Sequence, residues 1–517
     1  MKKKKKELIE KVSSQTDFKP RASGYSHYGA SYAKKSLSSW IASSGSADED
    51  IVENIETLRD RSRDLYMGVP LATGVLKTIR TNVVGSGLRL KSQVDASVLG
   101  LYPEEAEEWK RNIEREWALW ANSPACDAGR LLNFAQIQAM VLMSALMNGD
   151  VFVALPNISR PDSPYQLKIQ MIEADRVCNP NFLTFNSNVL EGVEIGRYGE
   201  PVAYYVAKYH PDNQHRPLSD PMQDWKRVPA YGALSGRRNI LHIMTDFERI
   251  GQRRGVPLLA PVIEAFKQLG RYTDAELVAA VVSGYFSVFI TSQAPESGLP
   301  SPLSPNFGEM TQDPNDVAMG PGIVATLNQG ESIQTANPGR PNTAFEGFVT
   351  AICRQIGAAT EVPYELLIKN FTASYSASRA SLLEAWKMFR MRRSWLISNL
   401  CEPVFEAWLS EAVATGRIQA SGFFEDVRIK KAWLRADWSG DAQGQLDPQK
   451  EASAAKIRVD EGFSTREREA SELTGMDIDD INMQRSREEE QRRALNISAP
   501  PSSPPQFSDE GDDNIGE

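Results

Sequence analysis

Residues 362–397 read VPYELLIKNFTASYSASRASLLEAWKMFRMRRSWLI, a hydroxyl-rich segment followed by a long helical pattern that contains several arginines. At about 100° per residue, Arg390 and Arg393 fall within about 40° of Arg379 on a helical wheel. Apolar side chains lie within about 80°, on the side of Arg393: Leu382, Trp386 and Phe389. One interpretation is a half-buried helix whose arginines pair with carboxylates; the other is a helix between subunits, or beside a lumen through which a polyanion moves.

The hydroxyls of this stretch raise the question of a nucleophile. They belong to four serines, Ser374, Ser376, Ser378 and Ser381. No G-x-S-x-G motif surrounds them and none has a lysine three residues on, so no activating base is local. We interpret Ser376 or Ser378 as the helix N-cap, whose side-chain oxygen accepts from the first-turn N–H groups.

The rest of the sequence contains no recognisable reaction centre. It has no Gly-Lys dipeptide and hence no phosphate-binding P-loop, and no H-E-x-x-H for zinc. Gly85-Ser86-Gly87 is interpreted as a turn, and His210 and His215 as residues of a surface loop. Carboxylate pairs such as Glu173 and Asp175 are typical of solvated surfaces. The sequence predicts no catalytic residue, no metal and no cofactor.

Composition limits the class of protein. The 517 residues are 41% hydrophobic, and no apolar run has the length needed to span a membrane. We therefore expect a soluble, cytoplasmic product. The formal net charge of −9 argues against a protein that binds DNA tightly over a broad basic face. The four cysteines form no C-x-x-C pair and are interpreted as buried apolar residues: Cys126, Cys178, Cys353 and Cys401.

Changes in composition and periodicity divide the chain into six segments. These are a polar, partly disordered arm (1–48), an α+β body (49–255), a long helix with a Pro-rich insertion at 292–322 (256–342), helices and a loop (343–445), a charged helical region (446–497) and a disordered acidic tail (498–517). The insertion is either disordered or the tip of a protruding hairpin.

Local patterns predict individual elements. Helices are expected over 48–80 with a turn at Gly68-Val69-Pro70, over 103–124 and 133–150, over most of 253–290, over 343–360, and within 447–494. Strands are expected in VFVALP (151–156), YQLKIQMI (165–172), GVEIG (192–196), PVAYYVAKY (201–209), NILHIM (239–244) and GIVATL (322–327).

Several segments, in order, carry a resemblance to a known family. They include LRDRSRDLYMGVPLATGVLKTIRTNVVGSGLRLKS (58–92), LKIQMIEADRV, GRYGEPVAYYV, NILHIMTDFERIGQRRGVPLLAPVI, FEGFVTAICRQIGAATEVPYELLIKNFTASYSASRASLLEAWK and LDPQKEASAAKIRVDEGFSTREREASELTGMDIDDI. From about Tyr32 to Arg493 the chain resembles the portal proteins of tailed bacteriophages, in particular the lambda-like portal family.

The resemblance implies a portal fold, α+β in class, with a mixed α/β wing, long stem helices, a small clip and a helical carboxyl-terminal crown region. The wing would occupy 49–255, the stem helix 256–285, the clip about 286–327, and the crown 446–497. Residues 292–322 lack a helix that some other portal families have in the clip.

The family implies a non-enzymatic ring, usually a homododecamer, at one vertex of the virion capsid. Double-stranded DNA would pass through its channel in packaging and ejection. The expected partners are the terminase large subunit, the major capsid and scaffold proteins, and head-completion or connector proteins, with no membrane; the ring would nucleate procapsid assembly.

The resemblance assigns three sets of candidate residues. The channel loop would contain Asn370, Phe371, Thr372, Ser374, Tyr375 and Ser376. The inter-subunit or lumen helix would present Arg379, Lys387, Arg390 and Arg393. The clip, in contact with terminase, would present Phe289, Pro302, Phe307 and Met310. Alternatives are a head–tail connector ring without a packaging role, or a packaging or maturation enzyme, against which the absent motifs argue.

Overall fold

A computed structural model gives the fold. It describes residue 31 and residues 34–180, 188–213, 224–284, 288–292, 331–335, 344–371, 375–444, 448–476, 478–495 and 497.

Helices and strands alternate in groups along the chain. The helices are α1 (Ala47–Gly68), α2 (Pro70–Val83), α3 (Ala96–Leu99), α4 (Pro103–Ala121), α5 (Phe134–Asn148), α6 (Ile263–Gly284), α7 (Phe345–Thr360), α8 (Tyr364–Ile368), α9 (Tyr375–Leu396), α10 (Glu402–Ala414), α11 (Val427–Trp433), α12 (Pro448–Asp460), α13 (Arg466–Thr474) and α14 (Ile478–Ala494). The strands are β1 (Arg89–Ser92), β2 (Asp150–Ala154), β3 (Gln170–Ile172), β4 (Val189–Leu190), β5 (Val193–Ile195), β6 (Pro201–Ala207), β7 (Trp225–Pro229), β8 (Ile240–Met244), β9 (Val288–Ser292), β10 (Glu331–Thr335) and β11 (Ala436–Ser439).

The first two helices meet at the turn that the sequence predicts. Ser46 caps α1 by accepting from the N–H of Glu49, while the Glu49 carboxylate accepts from the Ser46 N–H at 2.7 Å. Such a reciprocal box satisfies two otherwise unpaired donors. Pro70 opens α2 at its first position, where its missing N–H costs nothing.

Two antiparallel sheets follow. One has the strand order β3-β2-β8 and the other the order β4-β5-β6-β7. The strands predicted in VFVALP, YQLKIQMI, GVEIG, PVAYYVAKY and NILHIM are confirmed, because these segments overlap β2, β3, β5, β6 and β8 respectively. The mixture of sheets and helices confirms the α+β class.

The main core joins the amino-terminal helices to the carboxyl-terminal half. Trp117 of α4 lies at its centre, with aromatic ring centroids within 6 Å: Trp120, Phe134, Phe405, Trp408 and Trp438. Nearby, β1 pairs antiparallel with β11, Leu90 opposite Trp438. The sequence order of these strands gives no hint of their pairing.

The long helix expected over most of 253–290 is shorter than its apolar pattern suggests. α6 ends at Gly284, and Val288–Ser292 forms a strand that pairs antiparallel with Glu331–Thr335. The run SVFITS is rich in β-branched and aromatic residues, which favour a strand. Residues 293–330, with most of the Pro-rich insertion and the expected strand GIVATL, lie outside the described residues.

The stretch quoted at the outset forms α8 and α9. α9 begins at Tyr375, so Ser376 and Ser378 lie in its first turn, and neither is the N-cap. One π-helical turn, Ile397–Cys401, links α9 to α10. The expected helices at 343–360 and within 447–494 are confirmed by α7 and by α12 to α14. In the part of the chain that the structure describes, every helix is too short or too polar to cross a membrane.

Candidate functional site

The candidate channel loop is only partly a loop. Asn370 and Phe371 follow α8 and are exposed, with the Phe371 side chain 50% accessible. Lys369, just before them, adopts a left-handed conformation (φ 54°) that ends α8. Thr372 and Ser374 lie outside the described residues, whereas Tyr375 and Ser376 begin α9.

The structure brings three of the four candidate helix cations together. Arg379, Arg390 and Arg393 line one groove of about 830 Å³ between α9, the segment after β11, α12 and α13. Lys387 lies outside the lining and pairs with Glu384 on its own helix at 2.6 Å. Among the described residues, neither Arg379 nor Arg390 has an ion-pair partner.

Arg393 differs from its neighbours because its own chain satisfies it. Its guanidinium donates to the carbonyl oxygens of Val83 (3.0 Å), Asn82 (3.0 Å) and Asp441 (3.2 Å). Burial lowers the pKa of Arg393, with the Asp441 carboxylate opposing that effect. Arg393 therefore links α9 to the end of α2 within one subunit.

Arg392 is a buried cation that the sequence pattern did not single out. Its side chain is 5% accessible and lies 3.5 Å from an Asp246 oxygen and 3.9 Å from a Glu361 oxygen. It follows Phe389 by three residues and precedes Leu396 by four, which puts it on the buried face of α9. That spacing is the feature of the sequence from which the burial of Arg392 could have been predicted.

The most completely buried ionic cluster surrounds Asp150 at the start of β2. Its carboxylate meets Arg254 at 2.7 Å, Arg59 at 2.9 Å and His242 at 3.1 Å, and accepts from the N–H of Gly255 at 3.1 Å. Burial by itself would raise the pKa of Asp150, but Arg254 and Arg59 hold it well below its usual range. Burial lowers the pKa of Arg59 to about 10.

Arg254 connects the two sheets of the body. Besides Asp150, its N–H groups donate to the carbonyls of Val177 (2.7 Å), Glu191 (2.8 Å) and Ala174 (2.8 Å). All its donors have acceptors, so the fully buried guanidinium has hydrogen bonds in place of water. The cluster has a structural role: it connects the two sheets, and the Asp150 carboxylate has no exposure to solvent through which a substrate could reach it.

Close backbone contact places these groups side by side. A Cβ on Gly149 would lie 2.3 Å from the Gly255 oxygen, and one on Gly255 would lie 2.0 Å from the Gly149 oxygen. Only glycine permits that approach, and the next residue on one side is Asp150 while Arg254 precedes the other. The sequence contains Asn-Gly-Asp and Arg-Arg-Gly, but nothing local indicates that they meet.

One group of described residues has the ligand types of a metal site. Oxygen and nitrogen atoms of Glu173, Asp175 and His210 lie within 4.8 Å of one another. However, Asp175 pairs with Arg63 and lies 3.7 Å from Arg59. Two guanidinium groups on the same carboxylate oppose a bound cation, so the arrangement suits an ion-pair network.

The outer part of α6 is an apolar surface without a cover in the described residues. Leu277, Val278 and Val281 are 65%, 61% and 52% accessible. Nearer its start, Phe266 and Leu269 are buried. Val281 lies four residues after Leu277 and three after Val278, so it is a neighbour of both on the helix surface and the three form one stripe. We name Leu277, Val278 and Val281 the α6 stripe.

Of the four candidate clip residues, the structure describes one. Phe289 lies on β9, opposite Gln334 of β10. Pro302, Phe307 and Met310 lie outside the described residues.

Comparison with known proteins assigns the chain to a class. Residues 33–393, more than half of the chain, match the family model described as "Phage portal protein, lambda family". The class is thus that of phage portal proteins. Within it, the chain belongs to the lambda family.

Two curated relatives extend over nearly the whole length. Portal protein B of Escherichia phage lambda is 28% identical over 497 residues, covering 92% of this chain and 91% of that protein. The portal protein of Escherichia phage N15 is 28% identical over 486 residues, covering 90% and 89%. Among solved structures, a chain of "Neck of empty GTA particle computed with C6 symmetry" aligns with a TM-score of 0.47 and 14% identity, covering 81% of this chain and 93% of that chain.

Proposed function

We propose that this portal protein forms a ring, most simply a homododecamer, at one vertex of the virion capsid. The ring is the conduit through which double-stranded DNA is packaged and later ejected. It acts without catalysis, and it nucleates procapsid assembly in the host cytoplasm. Membership of the lambda portal family supports the proposed role as a DNA conduit. The α6 stripe is the structural observation that supports assembly into a ring.

The α6 stripe suits burial between copies of the chain. Three large aliphatic side chains exposed on one helix face are costly in water, and burying each is worth about 1.5–3 kcal/mol. In a closed ring every copy presents the same surface to a neighbour, so a modest gain is repeated around the circle. We assign α6 to the stem on this basis, with β9 and β10 leading to the clip.

The cations of α9 suit a role beside a neighbour or the channel. Arg379 and Arg390 line the groove together with four carboxylates, but among the described residues neither arginine forms an ion pair. Asn370 and Phe371 of the loop before α9 are exposed. A few cations on a chain of net charge −9 can guide DNA without holding it, since holding would require many neutralised phosphates.

The proposed partners follow from the conduit. The terminase large subunit docks on the clip, around Phe289 and the segment that contains Pro302, Phe307 and Met310. Head-completion proteins replace it after packaging, and the wing contacts the major capsid and scaffold proteins.

The ring is tested by imaging. Negative-stain micrographs of the purified protein should show closed rings with a hole wide enough for duplex DNA. Leu277→Asp combined with Val281→Asp should abolish the rings and leave monomers that melt at the original temperature, because a carboxylate cannot be buried unpaired at the interface.

A matched control is Leu234→Asp, at a fully exposed leucine between β7 and β8, which should leave the rings intact. Monomers and dimers alone in the unchanged protein, even at high concentration, would refute the proposed ring. Rings that survive the double substitution would refute only the assignment of the α6 stripe to the interface.

A further inference from the structure

A second groove, of about 620 Å³, lies between the edges of the two sheets of the body. Its walls include β3 and β7, each of which is the last strand of its sheet among the described residues. Its apolar surface is formed by Leu155, Pro156, Ile172, Val206 and Val228. We name this space the intersheet groove.

The lining of the intersheet groove is strongly basic. Its cations are Arg176, Lys208, Lys226, Arg227 and Arg237, whereas its sole carboxylate is Asp224. Counted over the described lining, five positive groups face one negative group. Such an excess attracts anionic ligands.

Among the described residues, the cations of the groove differ in the groups that they contact. Arg227 pairs with Glu194 at 2.8 Å. Arg176 instead donates to the carbonyls of Ala207 (2.9 Å) and Lys208 (3.0 Å), which are neutral acceptors.

Arg237 donates to neutral acceptors in the described part of the chain. It donates to the Asn157 side-chain oxygen at 2.8 Å and to the Leu155 carbonyl at 2.9 Å. Its Nε is buried without a hydrogen-bond partner in the described part of the chain. Burial lowers the pKa of Arg237, and the carboxylate of Glu411 only partly opposes that effect.

The shape and chemistry favour a peptide over nucleic acid. An apolar surface between cationic walls fits a segment that combines carboxylates with apolar side chains, whereas a sugar–phosphate backbone offers no apolar side chain. Both walls are edge strands, with which an extended peptide can form main-chain hydrogen bonds.

This chain contains such a segment at its carboxyl end. Residues 498–517 have no lysine or arginine, and their carboxylates belong to Asp509, Glu510, Asp512, Asp513 and Glu517. Phe507 precedes these carboxylates, and Ile515 lies between Asp513 and Glu517. Twenty residues can extend up to about 66–72 Å, so the segment has a long reach from Ile497.

We propose that the intersheet groove binds the acidic tail, residues 507–517, of this same protein. Phe507 enters the apolar part of the groove, and the carboxylates after it lie against Arg176, Lys226 and Arg237. This binding goes beyond the portal function, since it needs neither DNA nor a complete ring. It gives the tail a docking place on the body.

The test uses the full-length chain and a fluorescent synthetic peptide, PPQFSDEGDDNIGE, corresponding to residues 504–517. In one variant the tail is neutralised by Asp509→Asn, Glu510→Gln, Asp512→Asn and Asp513→Asn. This variant should bind the peptide roughly tenfold tighter than the unchanged chain does, because its own tail no longer competes. Fluorescence anisotropy at low salt measures both affinities.

Lys226→Glu in the tail-neutralised chain should weaken peptide binding by roughly tenfold. Lys226 is exposed, so this variant should fold, and Arg237→Gln provides a second test inside the groove. Arg61→Glu makes the same charge change on the exposed face of α1 and should leave the affinity unchanged.

Three results would overturn the proposal. One is equal peptide binding by the Lys226→Glu and Arg61→Glu variants, which would make the attraction non-specific. Another is equal binding by the unchanged and tail-neutralised chains. The third is displacement of the peptide by short duplex DNA at matched charge. Each would leave the proposed ring untouched, because ring formation is measured separately by imaging.

Discussion

The buried charges around Asp150 and the cations of α9 differ in where their partners lie. Arg254 is fully buried, and every one of its N–H groups finds an acceptor within the chain. Arg390 is exposed and has no ion-pair partner among the described residues. The Asp150 cluster is therefore electrostatically complete in one subunit, whereas Arg390 on α9 leaves charge available for another molecule.

The largest effect should come from breaking the complete side of this comparison. Asp150→Ala would leave Arg59 and Arg254 buried without their carboxylate, which should cost about 3–5 kcal/mol of unfolding free energy. Thermal and urea unfolding monitored by circular dichroism measure the loss. Asp60→Ala, at an exposed position of α1, should change stability by less than about 0.5 kcal/mol. A loss below about 1 kcal/mol at Asp150 would mean that the cluster does not join the sheets.

A smaller effect distinguishes two arginines of the same helix. Arg393→Met should cost about 1–3 kcal/mol, because the carbonyls of Val83, Asn82 and Asp441 lose a charged donor. Arg390→Met should leave the free energy of unfolding within about 0.5 kcal/mol of the original. Thermal and urea unfolding of the two variants measure these differences in the free energy of unfolding. Equal losses at the two positions would remove the distinction between an anchoring and an available cation.

The pH dependence of stability should sharpen the picture of the buried cluster. Burial lowers the pKa of His242, outweighing the opposite effect of Asp150. The folded protein then binds fewer protons than the unfolded chain, whose histidine pKa is about 6.5. The contribution of the neutral imidazole is thus complete above about pH 6.5 and is lost as the pH falls below it, by at most about 1.4 kcal/mol per pH unit.

His242→Gln should flatten this decline, because the amide can still donate to Asp150 but does not titrate. The loss that Asp150 itself contributes falls in a lower window, below about pH 3.9, since its pKa is depressed in the folded state. Unfolding midpoints from about pH 4.5 to about pH 8 test the prediction, because this range spans the His242 window and lies above the Asp150 window. His210→Gln is the control, and an unchanged slope in the His242→Gln variant would contradict the account.

Local patterns in the sequence predict most of the helices and strands because each element is encoded by neighbours along the chain. The turn at Pro70 and the helix beginning at Pro103 have clear start signals and an apolar face. The strand at Val288–Ser292 is harder to predict, since a short apolar run after a helix is compatible with either a helix or a strand. Its partner, Glu331–Thr335, lies about forty residues further on and decides the outcome.

The candidate site is less predictable because contacts distant in sequence determine it. A helical wheel places Arg393 beside Arg390, but it cannot show that Val83, some 310 residues earlier, accepts from only one of them. The Asp150 cluster depends likewise on Arg59 and Arg254, which lie 91 and 104 residues away. The family resemblance supplies the portal class, whereas the partners of individual charges require coordinates.

The pairing of β1 with β11 has a consequence for the order of events during synthesis. Arg89 pairs with Ser439, so a strand made early waits for one made about 350 residues later. At roughly 5–20 residues per second, the ribosome needs on the order of 20–70 s to supply it. Until then β1 has no partner and Trp117 lacks Trp438. A nascent chain consequently cannot complete this part of its core until the residues of β11 have left the ribosome.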